Sequence, residues 1–351
     1  MKKNNLKVFV ITRFGIGQSS NNFYDRELPY LENLLAKSII KQKKFITKWI
    51  ILIDVHTPKN VIKKISKLIP KDILCIHLHD IFLSADSKGS TNIIDNGYGD
   101  LMPDIPMILR NLGVKDYEKV VTIRIDADDM LSNDYITNVL NEIDRDDLKD
   151  KYELISVNAN YGVYFYPLKK KMIKIYKKNY SVQALYSIFG KNFYSVYDFG
   201  HQQLEEMVIK KGGYGCQLRK KEFWLRSMRQ YSVSQLGNKF GVLFGRFDLI
   251  KNIIKILFNR FLNHNTFFKG HIKKSDLSTR FDFAHKLIYF FYLHEKNLER
   301  KKTVFSPTIK AILKLNKNKN KTKIQKILLD MYVKETDQQK KKKIKNEFYN
   351  F

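Results

Sequence analysis

The sequence predicts an α/β protein with a mostly parallel sheet, and three observations carry that reading. Short apolar runs alternate with stretches of helical period through the first half of the chain. The runs are rich in Val and Ile and end in polar or acidic residues, as buried parallel strands do at the edge facing a crevice. With 351 residues, 44% of them hydrophobic, the chain can fill one large core or two modest ones.

The elements follow in order. Leu6-Lys7-Val8-Phe9-Val10-Ile11-Thr12 reads as the first strand. Pro29 suits a helix start, and Tyr30, Leu31, Leu34, Leu35, Ser38 and Ile39 recur at helical spacing, so a helix is expected from Pro29 to about Lys44. Trp49 to Ile53 is a buried second strand closed by Asp54, and Thr57-Pro58 opens a helix through Leu68. Ile73 to Leu78 makes the third strand, which completes a β-α-β-α-β series by residue 79. Residues 84–100, rich in Ser, Gly, Asn and Asp, read as a loop. A helix over Met102–Leu112 ends at Gly113, and Val120 to Ile125 is the next strand. Leu154–Val157 and Val163–Tyr166 read as strands in a Tyr-rich stretch whose aromatics suit packing on a half-buried sheet. Asp198-Phe199-Gly200-His201 opens a helix that bears Glu205 and Glu206 and closes at Gly212-Gly213.

Composition narrows the classes of function. Two cysteines, Cys75 and Cys216, cannot build a disulfide framework, which suits a reducing cytoplasm. The first apolar run breaks at Thr12 and Arg13, too early for a secretory segment, and no window reaches the roughly 20 apolar residues of a membrane span. Against 35 acidic residues stand 64 Lys and Arg, a net charge of +29 that attracts phosphorylated substrates, anionic lipid or nucleic acid. Residues 238–351 carry 27 basic and 9 acidic side chains, so the excess lies in the C-terminal third. Nucleic-acid binding is the rival reading from charge, but no zinc-finger spacing, arginine-rich cluster or aromatic RNA-binding strand signature accompanies it.

The strand at 120–125 runs into Asp126-Ala127-Asp128-Asp129, three carboxylates in four residues at the carboxyl edge of a sheet. Such crowding is costly unless a cation neutralises it. Hard oxygen ligands suit Mg²⁺ or Mn²⁺ bridging a diphosphate, so Asp126, Asp128 and Asp129 are candidate metal ligands. A metal-dependent phosphate-ester hydrolase would use the same aspartates but normally needs further His or Asp ligands for a second metal.

Thr12-Arg13-Phe14 at the end of the first strand, the Trp49 strand with Asp54 and Thr57-Pro58, and Arg124-Ile125-Asp126-Ala127-Asp128-Asp129 together resemble the bacterial rhamnosyltransferase family of GT-A glycosyltransferases. His201, Trp224-Leu225 and Ser232-Val233-Ser234 extend the resemblance, which covers about residues 5–237; where the family pattern leads to His and Asn, this chain has Arg229 and Ser232. The resemblance implies a GT-A-like, Rossmann-like sheet, a nucleotide-sugar donor such as activated rhamnose, and a cell-surface polysaccharide or lipid-linked glycan acceptor. Thr12, Arg13, Asp54, Arg124 and Asp126 are then the candidates for holding the nucleotide-sugar. An inverting transfer needs a base for the acceptor hydroxyl, and Asp198, His201 and Glu205 are available for it.

The chain thus divides into a catalytic unit over 1–237 and a basic, mainly helical region over 238–351. Phe240, Leu243, Phe244, Phe247, Ile250, Ile254, Leu257, Phe258 and Phe261 recur at helical spacing among basic residues, the pattern of a helix lying in a membrane interface or packing on the core. Phe281 to Leu293 repeats the apolar density, 316–323 is a charged linker, 324–333 a short amphipathic helix, and Lys340–Lys345 a polybasic tail expected to be disordered. An anionic membrane surface is the expected partner, at the inner face of the cell membrane.

Overall fold

A computed structural model describes residues 6–83, 103–148, 150–168, 170–177, 182–190, 192–200, 203–218, 221–228, 266–271, 281, 285–303, 328–329 and 331–350. His201, Arg229, Ser232, the loop at 84–100, the stretch Phe240–Phe261 and the linker at 316–323 lie outside the described residues.

Strands β1 (Leu6–Arg13), β2 (Lys48–Asp54), β3 (Leu74–His79) and β4 (Lys119–Arg124) are parallel and lie in the order β3-β2-β1-β4. The chain steps outward from β1 to β3 and then returns to the other side of β1. That reversal makes a switch point between β1 and β4, the place where open α/β sheets bind ligands. Beyond β4 the sheet continues through β9 (Gln183–Ile188), β6 (Leu154–Asn158) and β10 (Tyr214–Gln217). Only β9 runs against its neighbours, giving a mostly parallel sheet of seven strands. A second sheet holds β5 (Asp129–Leu131), β7 (Tyr161–Tyr166), β8 (Lys171–Lys177), β11 (Trp224–Ser227) and β12 (Thr266–His271), in the order β12-β8-β7-β11-β5.

Helices cover the large sheet. Helix α1 (Asn21–Tyr30) begins eight residues before the proline expected to start it: Ser20 is the cap, its hydroxyl accepting from the Phe23 N–H at 3.3 Å. Pro29 sits inside the helix, and a π-helical segment (Leu31–Ala36) follows before α2 (Lys37–Lys41). A mid-helix proline removes a donor and crowds the turn behind it, so widened turns next to it have a cause in the sequence. Helix α3 (Lys59–Leu68) follows Pro58 as expected, and α4 (Ile105–Asn111) is capped by Asp104, whose carboxylate accepts from the Met107 N–H at 3.1 Å. Helices α5 (Tyr135–Ile143) and α6 (Leu204–Lys210) complete the first 237 residues.

Two cores flank the large sheet. One gathers Val8, Val10, Trp49, Ile51, Val121 and Ile123 with the helices 21–41 and 59–68; the other gathers Phe9, Ile11, Ile50 and Leu52 with α4. The alternation of β1 and β2 side chains between these lists is the period of two of a strand buried on both faces.

The described residues of the C-terminal third pack on this same structure. β12 pairs with β8. Helix α7 (His285–Thr303) lays Phe291 on Tyr30 at 4.7 Å between ring centres, and the Tyr30 hydroxyl donates to the buried Glu295 carboxylate. The polybasic run expected as a disordered tail lies within α8 (Gln338–Asn350), because Ile344 and Phe348, four residues apart, give the helix an apolar side that packs on Phe82 and Ile81. Among the described residues no helix is long and apolar enough to cross a membrane.

Candidate functional site

The carboxyl ends of β1, β2 and β4 converge at the switch point. The loop after β1 turns sharply: Gly15 and Gly17 both hold positive φ, 75° and 74°. Tyr24 of α1 stands under this loop, its hydroxyl donating to the Gln18 carbonyl at 3.1 Å and lying 2.9 Å from the Thr57 hydroxyl. Burial pushes the Tyr24 phenol up to about 12, so it stays protonated as a donor. A Cβ on Gly15 would stand 2.6 Å from the Tyr24 oxygen, which leaves room only for glycine.

Asp54, at the end of β2, is fully buried. One carboxylate oxygen accepts from the Gly17 N–H at 2.8 Å and the other from the His56 N–H at 2.9 Å. The Tyr349 hydroxyl, from α8, reaches both oxygens at 3.0 and 3.1 Å. Burial raises the Asp54 carboxyl above its usual range against the pull of these hydrogen bonds.

Beside it lies a cationic cluster. The guanidinium carbons of Arg13 and Arg124 stand 5.8 and 4.8 Å from the centre of the Tyr197 ring. Arg13 also reaches the Asp126 carboxylate at 3.9 Å, with about 30% of each side chain exposed. Arg124 is 8% exposed, and its buried Nε has no hydrogen-bond partner among the described residues. A buried guanidinium N–H without an acceptor costs free energy. Burial raises the Tyr197 phenol above its ordinary value, against Arg124 and Arg13, which pull it down.

The three aspartates do not share one environment. Asp126 and Asp128 are half-buried at the edge of the cluster, and the Ser227 hydroxyl fixes the Asp128 carbonyl at 3.0 Å. Asp129 is fully buried and is the register partner of Arg226 across β5 and β11, which puts the two side chains on one face of the second sheet. Its charge also acts on Lys177 and Tyr164. As donors to a divalent cation, Asp126 and Asp128 fit in chemistry: hard, partly accessible carboxylates two residues apart. Among the described residues no group of three His, Cys, Asp or Glu is placed to hold a metal ion.

Thr12 is buried, and its hydroxyl accepts from the Trp49 indole N–H at 3.0 Å. It supports the site from beneath. Asp198 is exposed, directly after Tyr197, and its carboxylate accepts from the Ser195 N–H at 2.5 Å. Glu205 lies on α6 against Gly215 of β10, where a Cβ would stand 2.7 Å from its Cγ. The structure therefore brings Arg13, Arg124 and Asp126 together, with Asp54 and Thr12 adjoining through β2, and sets Glu205 on the β10 edge. Tyr197 and Tyr349 were missed by sequence reasoning. Tyr197 belongs to a run of aromatics that read alike as packing residues, and nothing local to Tyr349 marks it as a neighbour of Asp54, 295 positions away.

Residues 101–236 match the family model described as "Putative rhamnosyl transferase". No curated protein matches the chain. Among solved structures, TarS residues 1–349 from S. aureus is similar at 10% identity over 93% of this chain and 80% of that one, with a TM-score of 0.33. A cytidylyltransferase from Leptospira borgpetersenii is similar at 10% identity over 72% of this chain and 94% of that one, with a TM-score of 0.35. TM-scores this low do not define a shared fold, and the architecture rests on the strand order itself.

Proposed function

We propose that this chain is a glycosyltransferase that moves a deoxyhexose such as rhamnose from a nucleotide diphosphate to a cell-surface polysaccharide or lipid-linked acceptor, a reading supported by the match of residues 101–236 to a rhamnosyl transferase family model. The observation that carries this is the Arg13, Arg124 and Asp126 cluster at the β1/β4 switch point, with a buried guanidinium Nε that lacks an acceptor among the described residues.

Each residue has a role its position supports. Asp54 accepts from the base, and Thr12 holds Trp49 and the sheet edge below it. Arg13 and Arg124 bind the diphosphate, and Tyr197 between them fixes the guanidinium planes. Departure of the nucleotide builds negative charge on the diphosphate, and preorganised cations stabilise that charge in the transition state. A divalent ion held by Asp126 and Asp128 would supply the same stabilisation as a Lewis acid. Asp129, beside Arg226, fixes the turn that aims those two carboxylates. Asp198, exposed next to Tyr197, is the base we favour for the acceptor hydroxyl, with His201 next in line and Glu205 third, since Glu205 lies on the β10 edge. The protein works at the inner face of the membrane, where its basic C-terminal third meets anionic lipid and a lipid-linked acceptor.

The test is a panel of nucleotide-sugars incubated with purified protein, with Mn²⁺ and with EDTA. Metal-dependent hydrolysis or transfer from one donor class is the expected result. Full activity in EDTA removes the cation from the reading, and no turnover or binding of any nucleotide-sugar removes the donor assignment.

A further inference from the structure

The donor site is open at one end and shut at the other. Arg13 and Asp126, at the diphosphate end, keep 31% and 28% of their side chains exposed, whereas Asp54 is fully buried. What shuts the base end is the chain's own α8. A carboxylate offers about four acceptor positions. Two of those on Asp54 go to the backbone of Gly17 and His56, and the Tyr349 hydroxyl bridges both oxygens. The Tyr349 ring also packs edge-on against His56 at 4.1 Å, and Phe348 stands where a Cβ on Gly17 would touch it at 3.5 Å.

The way α8 is held suits something that lets go. Among the described residues its apolar cluster takes only Ile81 and Phe82, with the half-buried Ile16, from the sheet domain; the rest are Leu328, Leu329, Tyr332, Ile344 and Phe348 with their neighbours. An ion pair adds to it, Lys345 to Asp80 at 2.8 Å. Residues 335–337 are non-helical, and Asp337 caps α8 by accepting from the Gln339 N–H at 2.7 Å, so the helix starts afresh there. Undocking would leave both cores of the large sheet intact, the property of a low-stability unit that opens locally.

We propose that α8 is an autoinhibitory latch: docked, it fills the base subsite through Tyr349, and the nucleotide part of the donor binds only when the helix leaves Asp54. This rests on the assignment of Asp54 to the base. Affinity is then reduced by the fraction of molecules that are open at any moment, and weakening the latch raises it.

The experiment compares the full chain with the full-length double variant Lys345→Glu, Tyr349→Phe, titrated with UDP, GDP and dTDP by calorimetry. Hydrogen exchange of 338–350 is followed in parallel. The double variant is expected to bind its preferred nucleotide at least tenfold more tightly, and nucleotide is expected to speed exchange of 338–350 in the unaltered protein. Because the apolar contacts of Phe348 could hold the helix in place, Phe348→Asp is run beside it with the same expectation. Equal affinity in all three proteins, or weaker binding by the variants while 338–350 stays protected in the complex, overturns the latch and makes Tyr349 a wall of the base pocket. Failure of every nucleotide to bind a variant whose helix exchanges freely overturns the base assignment instead, and the latch with it.

Discussion

At the residue scale the most informative side chain is Arg124. Arg124 closes β4, and burying its Nε without an acceptor among the described residues is a standing cost. The planar fork matches a phosphate in two hydrogen bonds, which lysine cannot reproduce. Arg124→Lys should therefore weaken nucleotide-sugar binding at least tenfold while leaving the melting temperature within a few degrees, as read by calorimetry and thermal denaturation. With Asp128 holding the cation as proposed, Asp128→Asn should lower turnover at saturating Mn²⁺ by orders of magnitude with the fold unchanged. Thr12→Val does the opposite. It leaves the Trp49 indole N–H buried without an acceptor, so stability should drop by about 1–3 kcal/mol in urea unfolding while donor affinity holds. A loss of affinity without loss of stability would move Thr12 from support to contact.

At the element scale, strands were legible and their partners were not. β1 to β4 follow from runs of Val and Ile closed by Thr12-Arg13, Asp54 and Asp126, and that is why these residues could be placed at strand ends from the chain. The antiparallel β9 and the pair β8 and β12 carry the same Tyr, Phe and Ile content as their neighbours, so periodicity marks them as sheet without saying which sheet. Pro29 misled because position within a helix is set by the cap, and Ser20 is a weaker signal than a proline. The loop after β1 offers a sharper test. Gly15→Ala imposes a side chain at φ 75° and drives Cβ to 2.6 Å from the Tyr24 oxygen, so it should cost about 1–3 kcal/mol and lower donor affinity through the displaced Gly17 N–H. The docking of α8 has its own pH signature. Burial alone would raise the Asp80 carboxyl, but hydrogen bonds from Lys345 and the Phe82 N–H, with the Lys345 charge, hold it below the usual range. A lowered carboxyl stabilises the docked form above its unfolded value, about 4, and that contribution is lost as pH falls through the folded value. Protection of 338–350 against hydrogen exchange should decline on acidification through that window; protection unchanged to pH 3 would show that Lys345 and Asp80 contribute nothing to docking.

At the scale of the whole molecule, the residues after 237 differ from those before them in charge. Residues 238–351 hold the basic surplus, yet β12 pairs with β8, α7 packs on Tyr30 and α8 reaches Asp54, because burial of Phe291, Ile344 and Phe348 overrides the repulsion of nearby lysines. Sequence distance hid these contacts, since an amphipathic helix shows that it has an apolar face without showing what covers it. The outer side of α8 remains strongly basic, with Lys340, Lys342 and Lys343 exposed. Near an anionic bilayer each such residue contributes about 1 kcal/mol, and the attraction fades within a Debye length as salt rises. The protein should therefore co-sediment with vesicles containing phosphatidylserine or phosphatidylglycerol and not with neutral ones, and about 0.5 M salt, well above physiological screening, should release much of it. Lys340→Glu, Lys342→Glu, Lys343→Glu should weaken binding about a hundredfold or more. The triple variant keeps Ile344, Lys345, Phe348 and Tyr349, so its nucleotide affinity should stay unchanged in the absence of lipid. Equal binding to neutral vesicles would assign the interaction to apolar contacts alone, and tight salt-sensitive binding to single-stranded or duplex nucleic acid with no vesicle binding would return the surplus charge to a different partner.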